Sequence, residues 1–232
     1  MNLGQNTRKV VSALAFFLTA IGAAQAQTSV QLRVPSLGNG LYSNSLTLPV
    51  RSGAANYWSG LQTIEVIKGA SKQSFLAFCI DPFQWASRFP TSYTMFSSTT
   101  NIDAKFGTER ANNIRALFNE GYNSALGSNS GAAAMQLALW EVANDDKVLS
   151  TGGVRTNAAT NRVLASGAQS LLTNLGSYGG PSLYSYTLYT SSTKQDFLVA
   201  APVPEPETYA MMLAGLGLLG VVARRRKQKL NT

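Results

Sequence analysis

The stretch LQTIEVIKGASKQSFLAFCI, residues 61–80, decides the architecture. It holds two runs, Leu61 to Ile67 and Ser74 to Ile80, rich in β-branched and aromatic residues and joined by Lys68-Gly69-Ala70-Ser71. A glycine-bearing link between two such runs predicts a β-hairpin. Side chains alternate along a strand, so Phe75, Ala77 and Cys79 share one face and Leu76, Phe78 and Ile80 the other. Both faces are apolar, which predicts a central strand.

Further strands flank this hairpin. Thr28 to Val34 alternates, with Val30, Leu32 and Val34 on one face, and Leu46 to Val50 is a weaker run ended by Pro49. Leu183 to Thr190 and Asp196 to Ala200 return to strand near the end. Three helical patterns lie between. Thr108 can cap a helix carrying Ala111, Ile114, Leu117 and Phe118, with Gly121 as its stop. Ser130 can cap Gly131 to Asn144, whose Ala132, Gln136, Trp140 and Ala143 form a stripe. Asn157 to Leu175 carries Val163, Leu164, Ala168, Leu171, Leu172 and Leu175, closed by Gly176. Strands, then helices, then strands predict an α+β fold: a β-rich sheet or sandwich with a helical insertion of about three helices.

Two terminal segments stand outside that domain. Arg8 and Lys9 precede a largely apolar run, Val10 to Ala23, and Ala24-Gln25-Ala26 supplies the small-x-small pattern that signal peptidase reads. A signal helix cleaved after Ala26 is expected. At the other end Pro204-Glu205-Pro206 precedes Thr208 to Ala223, almost wholly apolar, and then Arg224, Arg225, Arg226, Lys227 and Lys229. The apolar run is sixteen residues, close to the span of a transmembrane helix, and the basic cluster would hold the C-terminus in the cytoplasm. The expected division is therefore 1–26 signal peptide, 27–200 extracellular domain and 201–232 sorting and membrane-anchor segment.

The net charge of +8 dissolves under the same division. Between Gln27 and Val203 there are 12 Lys or Arg against 9 Asp or Glu, a surplus too small to argue for nucleic acid. Histidine is absent, which excludes Ser-His-Asp and Cys-His catalysis and imidazole-bound zinc. No metal and no cofactor is expected. Cys79 is the only cysteine, so an intramolecular disulfide is excluded as well.

The tail resembles the PEP-CTERM sorting signal in the order, spacing and identity of its parts. Proline on both sides of Glu205 keeps that segment extended and accessible to a protease. The resemblance implies a Gram-negative envelope and retention in the inner membrane. An exosortase-type transpeptidase would then cut at Pro204-Glu205-Pro206 and release the chain outside.

A second resemblance joins two distant segments. Phe75-Leu76-Ala77-Phe78-Cys79-Ile80-Asp81 at a strand end and Met135-Gln136-Leu137-Ala138-Leu139-Trp140 on a helix are similar to the two halves of the bacterial thioester domain. That family crosslinks a cysteine to a glutamine, in a motif that usually reads Thr-Gln-x-Ala with a tryptophan nearby. Here Gln136, Ala138 and Trp140 match, while Met135 stands in place of the threonine. The resemblance implies a Cys79–Gln136 thioester, with Trp140 shielding it and Ala132 allowing close approach of strand and helix. A nucleophile on a surface or matrix partner would be the acceptor.

Other residue types offer different chemistry. Asp81, Asp103, Glu141, Asp145 and Asp146 could supply paired carboxylates, but no spacing fixes a pair, and Asp145-Asp146 reads as a solvated turn after a helix. Tyr184, Tyr186, Tyr189, Trp58 and Trp85 could stack on sugars, although aromatics alternating in a strand more often fill a core. The expectation is an exported adhesin-like protein and not an enzyme. The alternative is a non-covalent structural component of a biofilm or exopolysaccharide matrix.

Overall fold

The computed structural model describes residues 27–36, 42–47, 54–97, 101–156, 162–177, 180–203 and 211–219. Nine strands occur among them: β1 (Gln27–Ser36), β2 (Tyr42–Thr47), β3 (Ala54–Ser59), β4 (Gln62–Lys68), β5 (Ser71–Cys79), β6 (Thr91–Ser97), β7 (Arg155–Thr156), β8 (Tyr184–Thr190) and β9 (Phe197–Pro202). Four helices lie between β6 and β8: α1 (Asn101–Phe106), α2 (Thr108–Gly127), α3 (Asn129–Asn144) and α4 (Arg162–Asn174).

The expected hairpin is present. Lys68 pairs with Ser71 across a two-residue loop, and Gly69 there has φ 61, a conformation cheapest for glycine. β5 also pairs with β9, so it has neighbours on both sides, as its sequence predicts. Only its last three residues, Ala77, Phe78 and Cys79, are buried.

The expected sheet or sandwich is instead a closed antiparallel barrel in the order β1-β4-β5-β9-β8-β6. β6 makes the difference, because it pairs with β1 on one side and β8 on the other. Its sequence, Thr91-Ser92-Tyr93-Thr94-Met95-Phe96-Ser97, buries only Tyr93 and shows no apolar alternation. A second sheet, β3-β2-β7, completes the strands.

The helices also depart from their expected limits. α2 runs through Gly121 to Gly127, because Gly121 serves packing and not termination. An added Cβ there would lie 3.2 Å from Leu171 and 3.5 Å from the Met135 sulfur, so the missing side chain lets α2, α3 and α4 close together. Ser128, not Ser130, caps α3, its hydroxyl accepting from the Gly131 N–H at 3.1 Å. Every residue of α3 from Ala132 to Ala143 is buried, which makes it the central helix of the insertion. Tyr184 and Tyr186 are core residues: Phe118 meets Tyr186 edge-on at 5.2 Å, and Tyr122 meets Tyr184 at 5.0 Å. Tyr189 is buried with them, so none of the three offers a sugar-stacking surface.

The signal segment, the cleavage position Ala26, Pro204 to Pro206 and Arg224 to Arg226 lie outside the described residues. Of the apolar tail, residues 211–219 are helical and exposed. Among the described residues no helix is long and apolar enough to cross a membrane.

Candidate functional site

The site grows from a strand that outruns its partner. β4 begins at Gln62, opposite Ala77, so β5 continues for two residues with no strand on that side. On the other side Cys79 faces Phe197, while the neighbouring Ile80 N–H takes the ladder hydrogen bond to the Asp196 carbonyl at 3.0 Å. The Cys79 N–H and C=O therefore point toward the vacated side, into the core. Gln136 on α3 meets both. The Cys79 N–H donates to Gln136 Oε1 at 3.0 Å, and Gln136 Nε2 donates to the Cys79 carbonyl at 2.6 Å. Two residues 57 positions apart are thus clamped together, each with no solvent exposure.

The same helix face makes a second anchor. Asn144, two turns beyond Gln136, donates to the Ile80 carbonyl at 3.0 Å. Gln136, Trp140 and Asn144 follow one another at intervals of four, so the stripe visible in the sequence continues one residue past Ala143.

Trp140 is 1 % exposed and borders the pair. Its indole N–H makes no hydrogen bond of ordinary geometry among the described residues, yet it faces the Cys79 sulfur closely enough to favour the thiolate. The thiol itself donates to the Asp81 carbonyl at 3.2 Å. Burial dominates the balance and pushes the Cys79 thiol well above its usual range, with Trp140 and the Asp81 backbone pulling the other way. Desolvation also raises the half-buried Asp81 carboxyl, which accepts from the Phe83 N–H at 2.8 Å. Cys79 is consequently a protonated thiol, quiet toward reagents in solution.

A cleft of about 380 Å³ reaches Trp140 from the surface, lined also by Val34, Tyr57, Gln62 and Gln195. Tyr57 stacks on Trp85 at 5.6 Å and meets Trp140 edge-on at 6.5 Å. Trp58 and Trp85, 51 % and 55 % exposed, stand in its walls. The buried Gln62 Oε1 has no hydrogen-bond partner among the described residues. Sequence reading missed Tyr57, Gln62 and Gln195, which carry no motif and meet only through the fold. Ala132 is buried one turn before Gln136, but lines a separate cavity with Leu61, Leu76 and Ala125.

Chemically, the clamp brings a carboxamide against the cysteine residue in a dry core. The Cys79 N–H at Oε1 is placed where negative charge would develop if the amide carbonyl were attacked.

Residues 202–227 carry a PEP-CTERM protein-sorting motif. That motif implies an exported chain handled by an exosortase-type system. No curated protein matches the chain. Among solved structures, the N-terminal domain of the Streptococcus pyogenes pilus tip adhesin Cpa is 16 % identical, with 78 % of this chain and 97 % of that one covered and a TM-score of 0.45. The N-terminal thioester domain of a Clostridium perfringens surface protein is 14 % identical, with 76 % and 100 % covered and a TM-score of 0.43.

Proposed function

We propose that the chain is an exported surface or extracellular-matrix protein whose barrel domain forms an internal thioester between Cys79 and Gln136 and attaches covalently to a partner through it. The observation that carries this reading is the two-point clamp of the Gln136 carboxamide on Cys79, buried beside Trp140. In the first step the sulfur attacks Cδ of Gln136. The Sγ–Cδ bond forms, the Cδ–Nε2 bond breaks, and the thiol proton leaves with the nitrogen as ammonia. In the second step an amine or hydroxyl of the partner attacks Cδ, and Cys79 is released as a thiol carrying the proton of the nucleophile. The acyl group is consumed once, so the chain is an adhesive reagent and not an enzyme.

The cleft over Trp140 is the entry for that nucleophile, and the unpartnered Gln62 Oε1 can accept a hydrogen bond from an incoming amine. Residues 1–26 would be removed by signal peptidase after Ala26, and residues 27–200 would form the exported domain. The apolar segment and Arg224 to Arg226 would retain the precursor in the inner membrane until an exosortase acts at Pro204 to Pro206.

Intact mass of the protein from its native host tests the bond. The expected mass of the processed chain is lighter than its sequence by one ammonia, and methylamine restores the thiol and adds the amine to Gln136. A full-sequence mass in folded native material sinks the covalent mechanism. Resistance to alkylation would not suffice, since burial alone keeps the Cys79 thiol quiet. The same hydrogen bonds support a second reading, in which Gln136 only completes the strand end and the protein acts as a non-covalent matrix component.

A further inference from the structure

Glu141 follows Trp140 on α3 and has no part in the thioester reading. It is fully buried, and neither Oε1 nor Oε2 has a hydrogen bond of ordinary geometry among the described residues, the Lys147 backbone N–H being the one donor near enough to favour the carboxylate. A buried carboxylate left in that state is strongly unfavourable. Asp145 and Asp146 stand beside it, and one oxygen from each of the three carboxylates lies within 4.8 Å of the others. Two calcium–oxygen bonds laid end to end span about the same distance, roughly 4.6–5.2 Å.

Nothing among the described residues supplies the countercharge. Lys147, inside the loop, turns its ammonium to Glu109 at 3.5 Å, and Arg110 donates to the Ala143 carbonyl at 2.9 Å. Burial, followed by the charges of Asp145 and Asp146, pushes the Glu141 carboxyl up to about 8. The loop meanwhile holds the two aspartates in place. Asp145 Oδ2 accepts from the Val154 N–H at 2.5 Å, and Asp146 accepts from the Val148 N–H and the Thr151 hydroxyl, each at 2.9 Å. Gly152, at φ 73, presses its backbone on Asp145, where a Cβ would fall 2.3 Å from Oδ2. Asp145 is therefore half-buried against this loop, while Asp146 is exposed, in the solvated turn its sequence suggests.

We infer that Glu141, Asp145 and Asp146 form a calcium site that ties the end of α3 to the loop of residues 145–154. An all-oxygen set without histidine or cysteine suits hard cations, and an irregular loop suits calcium better than the strict octahedron of magnesium. The site is independent of the thioester, although it lies one residue beyond the tryptophan that borders it.

The test uses the full chain in mild detergent, stripped with EGTA and titrated with calcium chloride by calorimetry and by thermal unfolding. One calcium per chain is expected, with a rise in melting midpoint of about 5–10 °C near saturation. Magnesium should bind about ten-fold more weakly or worse. Glu141→Gln should weaken calcium binding about ten-fold or more, and the exposed Asp146→Asn should do likewise should the first variant fail to fold. Folded wild-type protein that gives neither calcium heat nor a thermal shift overturns the proposal. So does a Glu141→Gln variant that melts higher than wild type in calcium, the mark of a protonated acid instead of a ligand.

Discussion

Gln136 bonds to the backbone of Cys79 and not to its sulfur, and this sets an asymmetry that mutation can read. In protein that retains its ammonia, Gln136→Ala leaves a buried N–H and C=O unpaired and opens a cavity, at a cost of about 2–4 kcal/mol. Cys79→Ala keeps both hydrogen bonds and should cost only about 1–2 kcal/mol. Urea unfolding of the two variants measures the gap, and equal losses would show that the clamp is absent in solution. The thiol offers a pH test. Burial raises its folded pKa above the unfolded value, so the stability it contributes is whole below about pH 8.5 and falls as pH rises further, by at most about 1.4 kcal/mol per unit. Above pH 8.5 the uncrosslinked wild type should therefore lose stability faster than Cys79→Ala, in paired urea titrations at pH 7 and pH 9.5. A crosslinked chain has no thiol, and the difference should vanish.

At the scale of elements, the approach of α2 to α3 is controlled by Gly131. Helix propensity alone predicts that Gly131→Ala would stabilise α3 by about 1 kcal/mol. The packing predicts the opposite, since an added Cβ would fall 2.4 Å from the Ser124 carbonyl oxygen and 2.8 Å from the Ser128 hydroxyl. Backbone at the end of α2 cannot rotate away as a side chain can. Thermal unfolding should show a loss of about 1–3 kcal/mol, and a neutral result would mean that the two helices separate more easily than their contact implies. The stripe on α3 was legible in the sequence because Gln136 and Trp140 interrupt a run of alanines and leucines at helical spacing. Where α3 begins was not, because Ser128 and Ser130 are equally good caps by composition and only the hydrogen bond to Gly131 distinguishes them.

The whole molecule joins a folded domain to a processing tail, and the tail makes its own prediction. If Pro204-Glu205-Pro206 is the recognised segment, Glu205→Ala should shift protein from the medium to the inner-membrane fraction of the native host, measured by quantitative immunoblot. Unchanged release would count against recognition there. Such signals are legible in sequence because they are read from residue identity and order over a short stretch, whatever the domain does. The hairpin of residues 61–80 was equally local, fixed by two apolar runs and the glycine between them. Closure of the barrel was not, since β6 has one buried side chain in seven residues and earns its place only through β1 and β8. Sequence by itself determined the sorting motif of residues 202–227, the hairpin and the α3 stripe, because each rests on residue type and short-range order, while the candidacy of Cys79 and Gln136 came from the resemblance of their flanking motifs to the thioester domain. Tertiary structure alone decided that β4 begins opposite Ala77, leaving Phe78 and Cys79 without a strand on that side, that Gln136 fills the gap, and that Glu141 is buried against Asp145 and Asp146. Those facts depend on which distant groups a closed barrel and a buried helix bring within hydrogen-bonding distance, and no period along the chain encodes that.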